Sequence, residues 1–84
     1  MNDPVISRDQ LAILRLIEAF DGRVSPAGLI ELARGIAGME RERLELVGQH
    51  LAELERLGLA EVARGGREDG QCRLTPRGVE IAEE

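Results

Sequence analysis

The spacing of apolar residues changes at Gly58, and no other property of this chain narrows its possible folds as much. Ahead of Gly58 the apolar residues recur at three- and four-residue steps, the period of a helix face. Leu44, Val47, Leu51, Leu54 and Leu57 do so within "MERERLELVGQHLAELERLG", the longest periodic stretch. Behind it, "LAEVAR" and "QCRLT" are runs of strand length, separated by "GGREDG" with its three glycines and Asp-Gly step. That spacing predicts a β-hairpin. The expected fold class is mainly α with one small hairpin.

Local signals supply the remaining elements. Ser7 with Gln10 three residues on is a capping-box pattern, and it opens "SRDQLAILRLIEAF". Leu11, Ile13, Leu14, Leu16, Ile17 and Phe20 make that helix apolar over so much of its circumference that it belongs at the centre of a core or against a second subunit. "DGRVSP" turns the chain, with room for a very short extended piece at Arg23 and Val24. Ser25-Pro26 then starts a second helix whose apolar side is Leu29, Ile30, Leu32 and Ala33. Gly35 and Gly38 mark its end, and Gly58 caps the third helix. Gly48, in the middle of the third, suggests a close helix crossing or the close approach of a ligand backbone. Thr75-Pro76 repeats the Ser25-Pro26 device and begins a short terminal helix, "PRGVEIAEE".

Eighty-four residues are enough for a single domain, spanning 1–84 with its core over about 7–82. No apolar run approaches eighteen residues, so no membrane span is expected, and the N-terminus lacks the basic start and apolar core of an export signal. With one cysteine, Cys72, no intramolecular disulfide can form, and a cytoplasmic location is the expectation. Phe20 is the only aromatic residue, which argues against base stacking and against an aromatic-lined ligand pocket.

The net charge is −5, yet its distribution is uneven. Residues 1–55 carry six Arg and ten acids, residues 56–78 carry five Arg and three acids, and residues 79–84 carry three Glu. Only the hairpin segment is net positive. All eleven basic residues are arginine, which fits a GC-rich genome as readily as a need for guanidinium chemistry.

"HLAELERLGLAEV" followed by "CRLTPRG" resembles the winged helix-turn-helix domains of small bacterial transcriptional regulators, of the multiple-antibiotic-resistance repressor and phenolic-acid repressor types. Leu51 to Leu59 is similar to the end of a recognition helix and the approach to a wing. Leu74 to Gly78 is similar to the exit from the wing, and "VSPAGLIELA" fits the second helix. The resemblance covers about residues 7–82, without the ligand-binding and dimerising extensions of those regulators. It implies a three-helix core, a wing hairpin and a short C-terminal helix, with the third helix in the major groove of duplex DNA.

On that resemblance the DNA-binding candidates are Arg41, Arg43, Gln49 and His50 on the third helix and Arg64, Arg67 and Arg73 on the wing. Arg43 suits guanine and Gln49 adenine by bidentate hydrogen bonding. A homodimer is expected from the habit of paired half-sites and from surplus apolar residues, with Ile13, Leu16, Val79 and Ile81 as its candidates; a monomer would bury the same four in its own core.

Five Glu against three Arg over residues 39–57 speak against phosphate contact, with Glu40, Glu42 and Glu45 near the front of the helix and Glu68 and Asp69 at the wing tip. The second expectation is therefore a winged-helix protein–protein interaction module that binds no DNA. One His and one Cys make neither a metal site nor a cofactor site, and Cys72 reads as a buried structural thiol. No enzyme is expected: "ARGGREDG" lacks the Lys-Ser/Thr of a phosphate loop, and Ser7, Ser25 and Thr75 all serve as helix caps.

Overall fold

The computed structural model describes residues 5–67 and 69–84. Chain order is α1 (Arg8–Ala19), α2 (Pro26–Gly35), α3 (Arg41–Leu44), α4 (Val47–Arg56), β1 (Ala60–Val62), β2 (Cys72–Leu74) and α5 (Pro76–Ala82). A small helical domain with a two-stranded antiparallel hairpin results, a shape compatible with a winged helix. Glu68 of the wing tip lies outside the described residues, and no described helix is long and apolar enough to cross a membrane.

The caps form as the sequence predicts. Ser7 Oγ accepts from the Gln10 amide while Gln10 Oε1 accepts from the Ser7 amide, a complete capping box. Ser25 and Thr75 each accept from a backbone amide three residues ahead, Gly28 and Gly78, with proline next in line. At the end of α4, Gly58 takes φ +75°. Its amide donates to Glu55 and that of Leu59 to Leu54, the paired bonds of a Schellman cap. That cap turns the chain into β1 with Leu59 fully buried.

The expected single third helix is instead two. Leu46 sits at ψ −5° rather than at the helical value, and its amide bonds to Arg43, a three-residue step that tightens the chain between α3 and α4. Leu46 is left 41% exposed and Leu44 half-buried, whereas Val47, Leu51 and Leu54 continue into the core as predicted. Periodicity alone could not detect the break, since Leu44 and Val47 keep a three-residue step through it. Gly48 falls in the first turn of α4 with open space where a Cβ would stand, so a close crossing does not explain it.

The close approach occurs at Gly78. A Cβ there would lie 2.9 Å from the carbonyl carbon of Leu59, and nearer still to its oxygen. This lets α5 settle directly on the backbone leading into β1. Thr75 ties the same junction: its hydroxyl donates to the Gly58 carbonyl at 2.6 Å and its amide to that of Leu59 at 3.1 Å.

The core gathers Ile13, Leu14 and Ile17 of α1 with Leu29, Leu54, Leu59 and Cys72. Among the described residues no polar or charged one is buried, so the interior stands on apolar burial, about 1.5–3 kcal/mol for each large side chain. Ile13, Leu16 and Ile81, expected as a dimer face, are buried within the chain itself, and Val79 is half-buried. α5 packs along α1 and covers these side chains. Arg15 fastens the seam by donating to the carbonyls of Ala82 and Glu84. Two expected core positions stay outside: Phe20, in the C-cap of α1, is 40% exposed, and Ile30 is exposed on the outer side of α2.

Candidate nucleic-acid interface

The hairpin is short at its base and elaborate at its tip. Ala60 pairs with Leu74, Glu61 with Arg73 and Val62 with Cys72. The expected extended piece at Val24 forms, as an antiparallel bridge in which the Cys72 amide donates to the Val24 carbonyl at 2.6 Å. Cys72 therefore sits between two neighbours and faces inward, with Arg73 outward, as alternation along a strand requires. Burial, aided by the nearby charge of Glu55, pushes the Cys72 thiol up to about 11, so it is structural rather than reactive.

Beyond Val62 the two arms stay joined through Ala63, which donates to the Gln71 carbonyl at 2.8 Å and accepts from the Gly70 amide at 2.7 Å. Asp69 then folds its carboxylate back onto the Gly65 amide at 2.6 Å. Gly65, Gly66 and Gly70 all have positive φ, the conformation that lets so few residues reverse the chain. Arg64 and Arg67 project from this frame, both exposed and with no salt bridge among the described residues.

The other candidate arginines are engaged. Arg43 clasps Asp9 of α1 with two bonds, Nε to Oδ2 at 3.2 Å and Nη2 to Oδ1 at 2.6 Å. Those hydrogen bonds hold the Asp9 carboxyl below its usual range; its partial burial opposes the shift, and the charges of Arg43, His50 and Arg8 assist it. Arg41 is 92% exposed and stands 3.7 Å from Glu45, one helical turn on. Arg73 meets Glu61 directly across the strand pair at 2.7 Å. Gln49 is exposed and His50 half-buried, adjacent on the front of α4. Glu40, Glu42 and Glu45 are exposed along the same α3 stretch as Arg41 and Arg43.

The fold thus brings Arg43, Asp9 and His50 together where α3 and α4 meet α1, and leaves Arg64 and Arg67 on the wing. Asp9 and Glu61 are the side chains that the sequence reading missed, while Asp69, expected only as a charge at the wing tip, instead accepts from the Gly65 amide. The Glu61–Arg73 pair was within reach of it, since both are the middle residues of facing strands. The Asp9–Arg43 pair spans 34 positions with no local signal. Among the described residues no group of three or more His, Cys, Asp or Glu is placed to hold a metal ion. No protein-family model matches the chain, and neither does any curated protein or solved structure.

Proposed function

We propose that this chain is a DNA-binding transcriptional regulator whose wing grips the phosphate backbone while the front of α4 faces the major groove. One observation carries the reading: Arg64 and Arg67 are exposed, with no salt bridge among the described residues, on a tip where the Asp69 carboxylate is occupied by the Gly65 amide. Two guanidiniums on a pinned loop suit phosphate oxygens in number and geometry. The resemblance of Leu51–Leu59 and Leu74–Gly78 to winged helix-turn-helix regulators supports the same use of the hairpin. Gln49 and His50 are then the side chains offered to base edges. Arg43 reaches DNA only by leaving Asp9, so its contribution is small.

The test is binding to a mixed-sequence duplex at low salt, followed through a salt titration. Affinity should fall steeply with salt, and replacing Arg64 and Arg67 together by alanine should reduce the slope by about 2. Absence of binding even at low salt would sink the proposal.

A second reading, a protein-interaction module that binds no DNA, is favoured by the pairing of Arg41, Arg43 and Arg73 with Glu45, Asp9 and Glu61 in a chain of net charge −5. Under it the wing arginines meet a partner's carboxylates, and the duplex experiment returns nothing.

A further inference from the structure

An open groove of about 370 Å³ runs along α1 from Arg8 to Ala19, walled on its other side by Ile36 and Ala37 just past α2. No residue of α4 or of the hairpin lines it. On α1 its lining recurs at three- and four-residue steps, so the groove follows the helix for three turns, about 16 Å at 1.5 Å per residue. Leu11, Ala12, Leu16 and Ala19 make its α1 wall apolar. Ile36 on the opposite wall is 63% exposed, more than any other large apolar residue beyond the N-terminal Val5.

Its charge is opposite to that of the molecule. The chain has sixteen acids and eleven arginines, yet the lining contains two arginines and no acid. Arg8 makes no hydrogen bond or salt bridge among the described residues. Arg15 donates to the backbone oxygens of Ala82 and Glu84 while its side chain lines the groove. An elongated apolar trough with a cationic rim suits a helix that presents leucine-like side chains at three- and four-residue steps, flanked by carboxylates.

We infer that this groove docks an acidic amphipathic helix of a partner protein. The site shares no residue with the wing, so it stands whether or not the hairpin binds DNA.

The test uses the full chain and a synthetic amphipathic peptide of about fourteen residues, with leucines at i, i+4 and i+7 flanked by glutamates. A second peptide keeps the leucines and replaces the glutamates by lysines. The acidic peptide should bind, with amide shifts confined to residues 8–19 and 36–37, and the lysine version should bind at least ~10-fold more weakly. Ile36→Glu and Arg8→Glu should each weaken the acidic peptide by about tenfold while leaving the thermal midpoint and any duplex binding unchanged, because both side chains are exposed. Equal binding of the two peptides, shifts mapping elsewhere, or no binding at all would overturn the assignment. So would a concentration-dependent dimer abolished by Ile36→Glu, which would make a second copy the occupant.

Discussion

The base and the tip of the hairpin are built on opposite principles. At the base, Leu59, Ala60 and Cys72 are buried, Thr75 bonds to both Gly58 and Leu59, and Gly78 leaves no room for even one more carbon atom. At the tip, a Cβ added to Gly65, Gly66 or Gly70 would meet no atom of the described residues beyond its chain neighbours within 4 Å, and Arg64 and Arg67 are exposed. Packing density decides what each part tolerates. Substitutions at the base should register as lost stability, and those at the tip as lost binding with the fold intact.

Gly78→Ala should break the base most severely. The new methyl group collides with main chain, which cannot rotate aside, so about 3 kcal/mol or more of stability should go, read by urea unfolding. A Gly78→Ala variant as stable as the parent would show that α5 does not rest on the Leu59 carbonyl.

Next comes alkaline pH, through Cys72. Its thiol is raised from 9.0 to about 11 in the folded chain, so its contribution is complete below pH 9.0 and disappears as pH rises toward 11. The loss should be on the order of 2–3 kcal/mol. The chain has no Lys and no Tyr, so no other side chain titrates in that window. Urea midpoints at pH 8 and pH 10.5 should therefore separate in the parent and converge in Cys72→Ala.

Thr75→Ala removes the cap on Gly78 and the bond to Gly58 together and should cost about 1–2 kcal/mol in the same assay. Arg64→Ala with Arg67→Ala should change stability by less than about 0.5 kcal/mol. A larger loss would mean that the tip helps hold the fold, erasing its contrast with the base. The finest effect concerns Asp9: in Arg43→Met its carboxyl should rise from its depressed position toward 3.8, followed by carboxyl NMR through an acid titration. In the parent that pair's stabilisation is present above the ordinary carboxylate range and fades as pH falls through the lowered value.

Much of the fold was legible because its signals are local. Ser7 with Gln10, Ser25-Pro26 and Thr75-Pro76 each marked a helix start correctly, since a cap is satisfied within three residues of itself. Gly58 marked the switch from helix to hairpin, and alternation along "QCRLT" placed Cys72 inside and Arg73 outside. Far less of the candidate site was legible. Arg43 and Arg64 are the same residue type, yet one is clasped by Asp9 and the other is exposed on the hairpin tip. Phe20 and Ile30 carry the same apolar chemistry as Ile17 and Leu29 but lie on the outside.

The sequence by itself determined the order of elements, their caps, the hairpin and the positive charge of its segment, because each depends on neighbours within a few residues along the chain. The tertiary structure alone decided which arginines are paired, where the third helix breaks, that Gly78 rather than Gly48 is the point of contact, and that Ile13, Leu16 and Ile81 turn inward. The arginine pairings and the Gly78 contact depend on groups brought together from distant positions, such as Asp9 with Arg43 and Leu59 with Gly78, whose proximity exists only once the chain has folded.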